Sequence, residues 1–294
     1  MSNIELSQGP RLDQYVASAL PRISRAYAVK LIADGKVMVN DVLATKAGTK
    51  LRVSDTIVID FDADTLDIIP KIELEVLYED DDCVVINKPA GILTHSKGVY
   101  NPEATVGTWL LDRYAPEDLE DIKGVVDQRV GIVHRLDRAT SGVMICAKNI
   151  TATKWLQKQF SQRRVKKTYM AIVGGHLKQP QALIDMAIER NPRKPQTFRV
   201  GINGKTAQTE YLVVQESEHH SLLKLNPTTG RTHQLRVHLE ELGHPIVGDA
   251  LYGGEPADRL YLHAHILEVT LPNRERKVFT VDTPPSFAEF MAAS

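Results

Sequence analysis

Apolar and polar positions along the chain switch repeatedly between helical and strand spacing, and the switches mark out the elements. Near the N-terminus the pattern predicts a helix over 11–19, broken by Pro21, and a second over 25–33 that Ser24 can cap and Gly35 ends. Alternating runs at 36–40 and 56–59 predict two small strands. An acidic stretch over 61–71, with Pro70 near its end, predicts a boundary between a domain over 1–62 and another over 72–294. Strands at 73–78 and 83–87 follow, then a turn at Lys88-Pro89-Ala90-Gly91. The segment 129–149, RVGIVHRLDRATSGVMICAKN, reads as strand, turn, strand. Thr151 then caps a helix whose apolar positions are Ala152, Trp155, Leu156 and Phe160, with Trp155 and Phe160 expected in the core. A strand emerges from QRRVKKTYMAIV, and a basic loop leads to a hairpin with Gly201 and Gly204 near its turn. A strand over 209–214 comes next. Thr229-Gly230-Arg231 turns into a helix over 232–242, ended by Gly243.

With 294 residues, 43% hydrophobic and 25% charged, the chain has room for about two ordinary globular domains. No apolar run approaches the roughly 18 residues of a membrane helix, and the first residues lack a hydrophobic signal core, so the expected location is the cytoplasm, with no membrane partner. Cys83 and Cys146 both lie in apolar runs and are expected to be buried, reduced thiols.

A net charge of -1 argues against a nucleic-acid partner only if the charge is evenly spread, and it is not. Residues 60–82 hold ten acids and one base, whereas 154–205 hold twelve bases and two acids. Residues 11–52 carry eight bases and three acids. A basic middle and a basic N-terminal unit can follow a polyanion while the remainder keeps the total near neutral.

The densest chemistry lies at His134, Arg135, Asp137 and Arg138, in a loop at strand ends where a rigid scaffold presents reactive groups. An aspartate between two arginines is expected to stay a carboxylate, available as nucleophile, base or ligand. Protein kinases also use His-Arg-Asp, but with an asparagine after four intervening residues and a glycine-rich phosphate loop before it, and both are missing here. A hydrolase built on His134 and Asp137 would lack the Gly-x-Ser-x-Gly elbow. His233 and His238, five apart, do not share one helix face as a metal pair would, so no metal is expected.

The string HRLDRATSG resembles the active-site signature of the RluA/RluD family of pseudouridine synthases. VINKPAGILTHS resembles that family's opening motif, and LKLNPTTGRTHQLRVHLEELGHPIVGDALYGG resembles its last. RLDQYVASAL with ISRAYAVKLIADGKVMVN resembles the small ribosomal-protein-like RNA-binding domain called the alpha-L motif. The resemblance implies an α+β fold: a small N-terminal RNA-binding domain, then a catalytic domain with a largely antiparallel central sheet split by the active-site cleft. It implies conversion of uridine to pseudouridine in structured RNA by a cytoplasmic monomer that needs no cofactor. Ribosomal RNA of the large subunit is the expected substrate and transfer RNA the second. A non-catalytic RNA-binding assembly factor of the same fold is the alternative. By resemblance Asp137 is the nucleophile, Tyr169 packs against the target base, and Arg236 is the aspartate's basic partner. Arg135 is expected to fill the stack that a flipped uridine leaves. Lys167 and Arg231 are further substrate-binding candidates, as are Arg22, Arg25 and Lys30 in the N-terminal domain. Lys88 either faces substrate or braces its turn, and His95 either faces substrate or is an ordinary loop histidine.

Overall fold

The computed structural model describes residues 9–20, 23, 25–61, 70–95, 103–114 and 131–293. Arg22, Ser24 and Pro21 lie outside them, as do most of the acidic stretch before Pro70 and the loop leading to Arg129. The chain divides into two compact units, Met1–Ile72 with His95–Val130, and Glu73–Thr94 with Gly131–Ser294. Among the described residues, no helix is long and apolar enough to cross a membrane.

In the first unit, helices α1 (Leu12–Ala19) and α2 (Arg25–Ala33) bury Leu12, Val16, Ala28, Leu31 and Ile32 against Val37 and Leu51. Asp13 is buried as well, and it accepts hydrogen bonds from Arg11 Nε at 3.1 Å and Arg25 Nε at 2.9 Å. Those bonds, led by Arg11's, hold its carboxyl below the ordinary aspartate range. Three short antiparallel strands follow, β1 (Val37–Val39), β2 (Val42–Leu43) and β3 (Ile57–Ile59), ordered β2-β1-β3. The sequence pattern missed β2. It is two exposed residues long, and its tight turn is made by Asn40 and Asp41, both at positive φ, without the glycine that usually marks such turns. Helix α3 (Val106–Arg113) is capped by Thr105, whose hydroxyl accepts the Thr108 N–H.

The second unit is built on a nine-stranded sheet. Its strands are β4 (Glu75–Glu79), β5 (Cys83–Lys88), β6 (Ser141–Ala147), β7 (Lys166–Gly174), β8 (Gln181–Asp185), β11 (Gln208–Glu216), β12 (His220–Pro227), β13 (Leu262–Thr270) and β14 (Arg276–Thr280). The order is β4-β5-β6-β13-β7-β12-β11-β8, with β14 on β13. A two-stranded hairpin, β9 (Ile188–Arg190) with β10 (Phe198–Val200), stands apart from it; its turn is the basic stretch 191–197 and not the segment with Gly201 and Gly204 expected from the sequence, which follows β10. Among the described residues every pairing is antiparallel except β6 with β13, which run parallel and meet only where Ser141 faces His263 and Gly142 faces Ala264. There Gly142 has φ +116°, and a Cβ on it would collide with the Ala264 carbonyl, so only glycine lets the two backbones approach. Both cysteines are buried free thiols.

Helices α4 (Ile150–Ser161), α5 (Gln234–Glu241) and α6 (Pro285–Ala293) complete the unit. The cap of α4 is Asn149, not Thr151: its side-chain oxygen accepts the Ala152 N–H at 2.8 Å, which starts the helix one residue before Thr151. Ile132, expected to begin a strand, makes only an isolated bridge to Cys146. Trp155 is half-buried, donating its indole N–H to the Thr270 carbonyl with the Arg274 guanidinium 3.9 Å above its ring.

Candidate active site

The Asp137 loop is fixed from both sides by buried polar groups. Thr94 donates its hydroxyl to the Leu136 carbonyl at 2.8 Å and accepts the Leu136 N–H at 3.2 Å. Lys88, fully buried, donates to the carbonyls of Pro89 at 2.8 Å, Ile92 at 2.7 Å and Arg138 at 3.3 Å. Of its two sequence readings, bracing the turn is the one the geometry takes. Burial lowers its pKa to about 7 against the opposing pull of Asp137. His134 is likewise structural: Nε2 accepts the Ile145 N–H at 3.1 Å and the ring stacks on Phe160 at 4.4 Å. Burial, helped by the Lys167 charge, pushes its pKa to about 3. Phe160 is therefore half-buried at a cavity wall and not in the core, because the last turn of α4 overhangs the loop.

That cavity, of about 540 Å³, is lined by Arg135, Asp137, Arg163, Lys167, Tyr169 and Arg236, among others. Asp137 and Arg236 are 3.4 Å apart, Nη1 to Oδ2. Tyr169 comes from β7, and burial together with the Asp137 charge raises its hydroxyl above the ordinary phenol range. Lys167, two residues earlier, donates to the Thr229 carbonyl at 3.0 Å, and burial lowers its pKa to about 8. Arg231 donates Nε to the Thr206 carbonyl at 3.0 Å, and Arg135 is exposed at the rim. The Thr229–Arg231 turn is organised by buried Gln234, whose side-chain oxygen accepts the Thr229 hydroxyl at 2.7 Å and the Arg231 N–H at 3.0 Å. The basic middle of the sequence thus divides. Lys167 and Arg163 reach the cavity, whereas Lys166 and Arg199 are taken by Glu268 and Glu189.

Three site residues were not legible as such. Arg236 directs its fork at Asp249 and not chiefly at Asp137: Nε and Nη2 each lie 2.7 Å from an Asp249 oxygen, both side chains being buried. Burial lowers the Arg236 pKa, but the Asp249 hydrogen bonds and charge, with Asp137 behind them, leave it raised. Tyr252 lies beneath the same guanidinium, 4.9 Å from ring centre to Cζ. His233, weighed from sequence only as a metal ligand, lies in the cavity with Nε2 3.8 Å from Asp137 Oδ2. The usable signal was the Gly-bounded turn GDALYGG, but it announces a turn and not a pairing with Arg236. His238 is tied up elsewhere, by the Thr209 hydroxyl and the Met186 carbonyl. Among the described residues, no three His, Cys, Asp or Glu side chains are grouped to hold a metal ion.

In the N-terminal unit Arg25 and Lys30 are exposed, although Arg25 is also paired with Asp13 at 2.8 Å.

A family model described as RNA pseudouridylate synthase matches residues 82–241, and one for the S4 domain matches residues 10–57. An RNA pseudouridine synthase of Aquifex aeolicus is 41% identical over 247 residues, covering 83% of this chain and 77% of the relative. The ribosomal large subunit pseudouridine synthase D of Escherichia coli O157:H7 is 36% identical over 90% of this chain and 84% of its own. The solved structure of human RNA pseudouridylate synthase domain containing 1 superposes with a TM-score of 0.56 at 27% identity, covering 76% of this chain and 96% of that one. With the synthase match spanning more than half of its residues and these relatives aligned over most of its length, the chain belongs to the RNA pseudouridylate synthase family and carries an S4 domain ahead of the synthase domain.

Proposed function

We propose that this enzyme isomerises uridines in large-subunit ribosomal RNA, with Asp137 as the group that attacks the flipped nucleotide. The observation that carries it is a carboxylate, Asp137, sharing a cavity with a buried arginine fork, a tyrosine with a raised pKa and two further cations. A cavity of about 540 Å³ suits one extruded nucleotide and not a duplex. Isomerisation breaks the N-glycosidic bond, turns the base and joins the ribose C1′ to C5, whose hydrogen leaves as a proton; no redox partner enters the balance. Asp137 acts at C1′ or uracil C6 as nucleophile, or at C2′ as base. Arg236 pairs with Asp137 at 3.4 Å, and Tyr169 packs against the uracil. Arg135, at the rim, fills the vacated stack, while Lys167 and Arg231 hold flanking phosphates. Arg22, Arg25 and Lys30 supply the S4 domain's phosphate contacts. The name of the Escherichia coli relative supports the ribosomal substrate. The enzyme acts as a monomer, and a ribosomal substrate implies the cytoplasm.

The test is Asp137→Asn. It is expected to abolish turnover while leaving RNA binding intact, because the amide is nearly isosteric but no nucleophile. Turnover above about 1% of the parent would sink the role of Asp137. Mapping pseudouridines with and without the protein then decides the substrate. Sites lost from transfer RNA alone would overturn the ribosomal reading.

A further inference from the structure

His233 sits at the N-terminus of α5 with φ 56° and ψ 21°, a left-handed conformation that residues with side chains adopt sparingly and that persists where the surroundings demand it. Its Nδ1 is 2.8 Å from the Tyr252 hydroxyl, and that hydroxyl oxygen accepts the Phe198 backbone N–H at 2.9 Å. The rings of Phe198 and Tyr252 both meet the imidazole edge-on. Facing it are Asp137 and Arg135 from the catalytic loop, Arg236 from α5, and Asp249 from the turn before Tyr252. Burial lowers the His233 pKa although Asp137 opposes it, so at neutral pH the ring is uncharged and carries one N–H. Burial also raises the Tyr252 hydroxyl, which keeps its proton.

The tautomer follows from this chain of donors. With its oxygen already accepting from Phe198, Tyr252 gives its proton to the neighbour it has left, Nδ1 of His233. The imidazole hydrogen then belongs on Nε2, the atom that faces Asp137. We propose that His233 and Tyr252 are positioning residues that present an Nε2–H donor to Oδ2 of Asp137, so that Oδ1 is the oxygen that reacts. Arg236 Nη1 approaches the same Oδ2, which leaves Oδ1 without either donor. The two approaches, 3.8 and 3.4 Å, are those of an open site and shorten once RNA excludes water. The role rests on Asp137 being the reacting carboxylate.

The experiment reads the tautomer and the rate separately. In full-length protein labelled with 15N-histidine, NMR is expected to show His233 protonated at Nε2 and bare at Nδ1, and Tyr252→Phe to shift it toward a mixture. His233→Asn tolerates the left-handed backbone but is too short to reach Asp137. It should lower the single-turnover rate at saturating RNA by about tenfold or more, with RNA affinity within about threefold. His233→Gln, whose amide can replace the Nε2–H, should recover part of the loss. Tyr252→Phe should slow the parent but add nothing to His233→Asn. A proton on Nδ1 in the parent overturns the proposal, as does an additive loss in the double variant. So do full rates in His233→Asn and Tyr252→Phe while Asp137→Asn is inactive. If Asp137→Asn itself turns over, the role of Asp137 falls on that result alone, and the NMR spectrum still judges the tautomer.

Discussion

Replacing Asp249 by Asn should impair the enzyme at two levels, and the geometry sets the size of each. Arg236 donates two charge-assisted hydrogen bonds of 2.7 Å to Asp249, and neither side chain is appreciably open to water. Asparagine keeps the shape and one acceptor but removes the charge, leaving a buried guanidinium without its main counter-ion. Breaking a buried pair on one side costs about 3–5 kcal/mol, and the retained acceptor and nearby Asp137 should reduce that to about 2–3 kcal/mol. The second effect falls on Asp137. At 3.4 Å from Nη1 it sits beyond the 2.7–2.9 Å of a strong ion pair, because Asp249 holds the fork in another direction. Freed from Asp249, the fork can close on Asp137 and engage both of its oxygens. A carboxylate so engaged is a poorer nucleophile, and a rate loss of about 100-fold corresponds to about 2.7 kcal/mol of lost transition-state stabilisation. Affinity for RNA should hardly change, since Asp249 is buried.

The assay is single-turnover tritium release from RNA carrying 5-tritiated uridine, because C5 gives up its hydrogen as the new bond forms. Urea unfolding of the same samples supplies the stability. A rate within about threefold of the parent, with stability within about 1 kcal/mol, would refute the idea that Asp249 controls where Arg236 points. A variant that loses stability but keeps its rate would confine Asp249 to holding the turn, where its Oδ1 also accepts the Leu251 N–H at 3.2 Å.

Two further outcomes follow from groups outside that pair. If Lys167 binds a phosphate as proposed, it does so only as the ammonium, and its pKa is lowered to about 8, so RNA affinity should weaken as pH rises through that value. Lys167→Met should weaken binding at pH 7 and flatten that dependence; an unchanged pH profile of Kd in the variant would remove Lys167 from the RNA interface. Deleting residues 1–65 should leave chemistry on a short stem-loop but weaken binding to large folded RNA and make its salt dependence shallower, by about 0.9 in log–log slope for each phosphate that the S4 domain neutralises. Equal slopes for the two proteins, measured by titration at several salt concentrations, would show that the S4 domain neutralises no phosphates.

What the sequence disclosed of the site was whatever sits in one contiguous string. Asp137, Tyr169 and Arg236 each lie in a compact motif, and each lines the same cavity. The arrangement among them was not disclosed, since Asp249 finds Arg236 across thirteen residues and a turn. Tyr252 acts on His233 through a hydroxyl that local pattern cannot distinguish from a core tyrosine. Helical spacing placed Phe160 correctly on the apolar face of α4 but could not show that the helix end projects over the Asp137 loop. The same limit applies to strands. Strands β8, β12, β13 and β14 were not read from the sequence at all, and β2, with two exposed residues, was too short to carry a period.

The position of the site follows from how the sheet is joined. Strands β6 and β13 meet over only two residue pairs, and the catalytic loop enters β6 at that junction. The join is tight because Gly142 admits the Ala264 backbone. It is also pinned by a buried hydrogen bond of 2.9 Å between the Ser141 hydroxyl and His263 Nδ1, with Arg259 donating to the same hydroxyl at 2.6 Å. A proton from Ser141 to Nδ1 leaves Nε2–H to donate to the Val281 carbonyl at 3.2 Å, so the whole relay is satisfied, with the imidazole neutral. Burial keeps it so, lowering the His263 pKa to about 4. The strand that the Asp137 loop enters is thereby locked to β13, which on its other side pairs Ala264 with Tyr169 of β7. Glycine at 142 is thus as much a requirement of the active site as of the sheet, since a side chain there would part the two strands that bring Asp137 and Tyr169 to one cavity.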